Sequence, residues 1–240
     1  MASKTLAVIL GAGPGTGQAL AVAFAKHHSV ALLARNASSL DSVAAAVRKA
    51  GGDAAPFSCD ATSAESVDAA FAAIRKQWPD HELKAACFNA ANPFVRKPFL
   101  ELEAKDLKPG LDLNVYGAFH FCQKAIPEML KSGGGFLCFS GATASTKGSA
   151  NFAAFAPAKF ALRGLSQSLA REFGPQGIHV VHAIIDGIIS TARIEGMMGK
   201  AEEGTRLEPS AIAETILHLS QQDKSCWTQE IDMRPFSEKW

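Results

Sequence analysis

Gly11-Ala12-Gly13-Pro14-Gly15-Thr16-Gly17 follows an apolar run at 6–10 and opens an alanine-rich stretch at 18–26. The run reads as a strand and the stretch as a helix, so the glycines sit at a strand-to-helix turn. Glycine has no Cβ, so it adopts φ > 0 and lets another group approach the backbone closely. The helix that follows offers free N–H groups and a partial positive charge at its start. A tight turn alone could explain the glycines. Their place in the first strand–helix unit favours a dinucleotide pyrophosphate instead.

Working outward, the same alternation repeats. Further strand-like runs lie at 30–34, 54–59, 85–89, 136–140, 179–185 and 229–233, with helical stretches between them such as 40–50 and 63–77. Most of the runs are continuously apolar, as expected of parallel strands covered on both faces. Seven such strands with crossover helices predict an α/β fold, a doubly wound parallel sheet in three layers. No internal repeat or long linker divides the chain, which predicts one nucleotide-binding domain over 1–240. The one irregular stretch is 190–209, rich in glycine and charge; Met197, Met198 and three glycines suit an adaptable loop over a substrate, with a plain surface loop as the alternative.

Composition narrows the function classes. Apolar residues make up 48% of the chain and charged residues 20%, with a net charge of +1. Nothing there argues for nucleic acid or an anionic membrane, and no apolar run approaches the ~20 residues needed to cross a bilayer. Met1-Ala2-Ser3-Lys4 leads directly into a strand without the apolar stretch of a signal peptide. Cys59, Cys87, Cys122, Cys138 and Cys226 show no Cys-x-x-Cys spacing. They read as small buried hydrophobes in a reducing cytoplasm rather than metal ligands.

Several motifs in order give the chain a resemblance to the short-chain dehydrogenases/reductases, covering nearly its whole length. Gly11, Gly15 and Gly17 match that family's Thr-Gly-x-x-x-Gly-Ile-Gly motif, with Leu10 and Thr16 standing for the threonine and isoleucine. Asp60 and Ala61 fall where the family meets the adenine ring. Asn89-Ala90-Ala91-Asn92 looks like its Asn-Ala-Gly motif, Asn114 matches its active-site asparagine, and Lys159 its lysine. Asp186-Gly187-Ile188-Ile189-Ser190-Thr191 resembles Pro-Gly-x-x-x-Thr, whose threonine contacts the nicotinamide. The resemblance implies a Rossmann-like fold, a nicotinamide cofactor, a small-molecule substrate and a homo-dimer or homo-tetramer. In the family the helices of Asn114 and Lys159 pack against their copies; here they carry Phe119, Phe121, Phe160 and Leu165.

The cofactor preference is read from the end of the second strand. No carboxylate lies there to bond a ribose 2′-hydroxyl, and the next acidic residue is Asp41. Arg35 offers a planar cation suited to a 2′-phosphate. NADP(H) is therefore favoured, with NAD(H) as the alternative. Gly11, Gly13, Gly15, Thr16, Gly17, Arg35, Asp60, Ala61, Asn89, Ala90, Lys159 and Thr191 are the candidate cofactor contacts.

The resemblance breaks at one position. The family places a tyrosine acid four residues before its lysine; here that residue is Phe155, which has no hydroxyl. The family serine, about thirteen residues earlier, falls on Ala142, with Ser140 and Thr143 close by. Asn114, Lys159 and Ser140 remain as candidate catalytic residues. Tyr116 reads as packing, and Asp186 as a turn or cap residue or a buried proton donor. Pro157 threatens a late start or a kink in the helix that carries Lys159. The expected function is an NADP(H)-dependent oxidoreductase with an altered proton donor, acting on a small carbonyl, imine or enone. A non-redox cofactor-binding protein is the alternative.

Overall fold

The computed structural model describes residues 4–91 and 94–238. Met1, Ala2, Ser3 and Asn92, read above as part of the N-terminus and of the Asn-Ala-Gly-like motif, lie outside the described residues.

The strands are β1 (Thr5–Leu10), β2 (Ser29–Ala34), β3 (Ala54–Ser58), β4 (Glu82–Phe88), β5 (Gly135–Ser140), β6 (Ile178–Ile185) and β7 (Glu230–Met233). They form one seven-stranded sheet in the order β3-β2-β1-β4-β5-β6-β7. Every pairing is parallel. This is the expected doubly wound sheet, and the reason is visible in burial. All eight residues of β6 are buried, so neither face of that strand tolerates an alternating polar pattern.

Helices cover both faces. α1 (Thr16–Phe24), α2 (Asp41–Lys49) and α8 (Pro209–Ser220) supply Leu20, Phe24, Val43, Val47 and Ile216 to one core, against Ile9, Leu32 and Phe136 of the sheet. On the other face α3 (Ala64–Gln77), α5 (Ala118–Lys131) and α6 (Ala156–Phe173) bury Val67, Ile74, Phe121, Met129 and Leu162 against Val8, Leu33 and Phe88. The shorter α4 (Ala104–Leu111) and α7 (Ala192–Met198) complete the helices. No helix among the described residues is long and apolar enough to cross a membrane.

Three details bear on the site. α6 begins at Ala156 with Pro157 in its first turn. Proline loses nothing there, because that N–H has no helical partner, so the helix neither starts late nor kinks. Between α4 and α5 the chain makes a π-helical turn, Asp112–Gly117, that buries Asn114. The 190–209 stretch is less irregular than expected: it contains α7, and Ile189 bridges Leu207.

Candidate functional site

The strand order reverses direction at β1, between β2 and β4, which is where an open parallel sheet forms a crevice at the strands' C-terminal ends. Two cavities lie there. The first, about 270 Å³, is lined by Gly11, Arg35, Asp60, Ala61, Ala90 and Leu113 among others. The second, about 210 Å³, is lined by Asn89, Ser140, Ala142, Phe155, Lys159 and Ile189 among others. Both touch Ala90 and Ala91, so they are parts of one crevice.

The glycine turn sits between β1 and α1 as the sequence predicts. Gly11 has φ +85, and a Cβ there would lie 2.6 Å from the Ala90 nitrogen, so only glycine lets the turn meet the end of β4. Gly15 has φ +105, and a Cβ there would come within 3.0 Å of the Thr191 methyl. The contact brings Thr191, from beyond β6, onto the start of α1. Gly13 faces open space. Thr16 and Gly17 open α1, whose first turn has no side-chain cap and no acidic residue. Its N–H groups and positive end are left available to an anion.

In the first cavity, Arg35 is exposed at the rim and Asp60 is half-buried. The Thr62 hydroxyl and backbone N–H donate to Asp60 Oδ1 at 2.7 and 3.0 Å. These bonds, with a smaller effect from Arg35, hold the Asp60 carboxyl below the usual range. The cavity thus holds a fixed carboxylate, apolar walls and a cation at its rim, a lining suited to part of a nicotinamide dinucleotide.

At the other end the polar groups interlock. Asn89 Nδ2 donates to the Gly11 carbonyl at 3.0 Å, and the Ser140 hydroxyl donates to Asn89 Oδ1 at 2.8 Å. Lys159 Nζ donates to the Ser140 carbonyl at 3.0 Å. Burial pushes the Lys159 amine down to about 8. The Asn114 side chain donates to the Gly110 carbonyl at 3.0 Å, holding the π-helical turn. Phe155 stands one residue before α6 and lines the same cavity as Lys159. Its ring packs edge-on against Phe94, centroids 5.2 Å apart, and Phe94 meets Phe152 at the same distance.

Some expectations are corrected. Asp186 is neither a cap nor a free acid: it is buried, pairs with Arg234 at 3.1 Å and accepts from the Thr143 hydroxyl. That bond commits the Thr143 hydroxyl to Asp186, and Thr143 is not among the residues lining either cavity. Tyr116 is 60% exposed rather than packed. Met197 and Met198 are exposed and line neither cavity. The Arg234 partnership was invisible in sequence, since nothing marks which basic residue will meet Asp186. The Phe94–Phe152–Phe155 cluster carried no signal either.

The chain matches the short chain dehydrogenase family model over residues 5–200, from β1 through α7. It is 31% identical over 208 residues to a 7alpha-hydroxysteroid dehydrogenase of Escherichia coli, covering 86% of this chain and 79% of that protein. A short-chain dehydrogenase structure from Rhodopseudomonas palustris superposes with a TM-score of 0.82 at 32% identity, covering 97% and 99% of the two chains. A metagenomic short-chain oxidoreductase crystallised with NADP shares the fold, with a TM-score of 0.81 at 21% identity over 98% of each chain. The glycine turn, the crevice at the β1 switch point and the family match over most of the chain agree: this protein belongs to the short-chain dehydrogenase family.

Proposed function

We propose that the chain is an NADP(H)-dependent oxidoreductase that works without the usual hydroxyl acid. One observation carries the cofactor preference: Arg35 lines the cavity beside Asp60 and Ala61, and no carboxylate stands at the end of β2. A 2′-phosphate would gain a charge-assisted bond there. Gly11, Gly13, Gly15, Thr16 and Gly17 would receive the pyrophosphate at the start of α1. Asn89, Ala90 and Lys159 would meet the nicotinamide ribose, and Thr191 the carboxamide. The NADP complex of the metagenomic relative agrees with this reading.

The bound cofactor would supply or accept a hydride; the chain supplies position and protons. Phe155 has no proton to give, and Ala142 has none either. Ser140 commits its hydroxyl hydrogen to Asn89, so it serves as an acceptor and anchor. The acceptor would be a small organic compound that does not need a phenolic acid. Four free cysteines are buried, Cys59, Cys87, Cys122 and Cys138, which suits a cytoplasmic setting.

The test has two stages. Fluorescence titration should show tighter binding of NADPH than of NADH. NADPH consumption should then follow addition of at least one compound from a panel of ketones, imines and enones. Binding of neither cofactor would remove the reading. Binding without consumption by any acceptor would favour a non-redox use of the site.

A further inference from the structure

Among the described residues, the cavity beside Phe155 has a single titratable side chain in its lining, Lys159. Lys159 is buried, with 6% of its surface exposed. It makes no ion pair among the described residues. One of its three protons is directed at the Ser140 carbonyl, leaving two. Burying an ammonium without a carboxylate is costly, and proteins rarely retain such a group without a use for it.

We propose that Lys159 Nζ is itself the catalytic proton donor, and that the substrate is an uncharged conjugated carbonyl compound. The proposal rests on the NADP(H) oxidoreductase reading. The reaction balances as follows. The β carbon of the acceptor takes a hydride from the reduced cofactor, and the electron pair of the double bond shifts to give an enolate. A Lys159 N–H bond breaks and the proton goes to the enolate. The neutral amine then regains a proton from water.

Charge decides the acceptor class. A preformed iminium would enter a cavity whose own ionisable group is a cation, and like charges a few ångströms apart in a poorly solvated site repel strongly. A simple ketone would build a localised alkoxide, for which one ammonium is the only help at hand. An enolate spreads its charge, so the same ammonium suffices. The apolar walls, Phe155, Ile185 and Ile189, suit an uncharged organic molecule.

The surroundings of Lys159 leave a single transition to read. His182 on β6 is fully buried, and burial pushes it down to about 4, so it stays neutral across the working range. Arg163, one turn further along α6, forms a two-pronged pair with Glu230 of β7 at 2.6 and 2.7 Å, so those charges offset each other. Lys159 is driven down to about 8 by burial. Its proton is present below that pH and lost above it, so activity should fall as pH rises through about 8.

The experiment combines labelling and kinetics. In the cofactor-free protein, reaction of Lys159 with an amine-acylating reagent, followed by mass spectrometry, should rise with a midpoint near pH 8, well below that of exposed lysines. With NADPH, cyclohexenone-type acceptors should be reduced faster than saturated ketones of equal size. Lys159→Arg keeps the charge but holds its proton. At saturating NADPH it should lower kcat by about 10²-fold or more, the scale of lost general acid help, and the fall near pH 8 should vanish. Lys159→Met should remove the remaining turnover at saturating NADPH, and a native-like circular dichroism spectrum with a cooperative melting transition will show that it folds. If the fall near pH 8 persists in Lys159→Arg, or Lys159 labels like a surface lysine, the proposal is overturned while the oxidoreductase reading stands. NADPH binding with no acceptor reduced overturns both.

Discussion

The Arg234 guanidinium stands 3.1 Å from one oxygen of the Asp186 carboxylate, and the Thr143 hydroxyl donates to the other. The contact joins three segments that leave the sheet at β5, β6 and β7. Two of them, the Ser140–Ala142 stretch and the chain leading to Thr191, border the crevice. The side chains of Arg234 and Asp186 are only 16% and 11% exposed. Removing one partner from such a pair leaves a poorly solvated charge. Arg234→Met should therefore cost about 3 kcal/mol in urea unfolding, at the low end for a buried pair. Adding Asp186→Asn should recover part of that loss, because the orphaned charge is gone.

Arg35→Ala should weaken NADPH by about 10-fold or more and leave NADH within about threefold, since a charge-assisted bond is worth about 1.5–3 kcal/mol. Parallel titrations of both cofactors check this. Equal affinities in the wild type would remove the basis for the preference.

Gly15→Ala should cost about 1–2 kcal/mol of stability, because an L residue resists positive φ. The new methyl would also press on the Thr191 methyl, 3.0 Å away. Dinucleotide affinity should drop with it. Unchanged affinity would separate the turn from the binding site.

Phe119 is 50% and Phe160 43% exposed, whereas Phe121 is buried in the core. The apolar supply of α5 and α6 is thus divided between the sheet and exposed positions, and Tyr116, just before α5, is exposed as well. A face of this kind favours association with a second copy. Light scattering at micromolar concentration should give a dimer or tetramer, and Phe119→Asp with Phe160→Asp should reduce it to monomers. A monomeric wild type would defeat the expectation.

Phe155→Tyr with Ala142→Ser should raise the reduction of simple ketones by about 10-fold or more, short of the full ~10²–10⁴ of general acid catalysis. The Lys159 charge would lower the new phenol's pKa and make it a better acid. Because α6 is not kinked at Pro157, the new hydroxyl would start from a regular helix end. Efficient ketone reduction by the unaltered protein would show that another acid already serves the site.

Much of the architecture was legible because its causes are local. The runs at 136–140 and 179–185 announce buried parallel strands by being mostly apolar without an alternating polar pattern, and they differ from β5 and β6 by one residue at their starts. Gly11 and Gly15 announce the turn because positive φ is a property of the residue itself. Boundaries were less secure where chemistry is mixed: charge and glycine at 190–209 hid the seven-residue helix α7.

The sequence by itself determined that this is a parallel α/β domain with a glycine turn, that position 155 carries no hydroxyl, and that Arg35 stands where an acid would favour NAD(H). Each follows from a residue's own chemistry or from a short-range period. Only the tertiary structure decided that Asp186 meets Arg234 and Thr143, that Ser140 is bound to Asn89, and that Lys159 is the one titratable group among the described residues lining its cavity. Those relationships join residues as far as 51 positions apart in the chain. Partnership and burial at that range are set by how the strands stack in space, and spacing along the chain does not encode them.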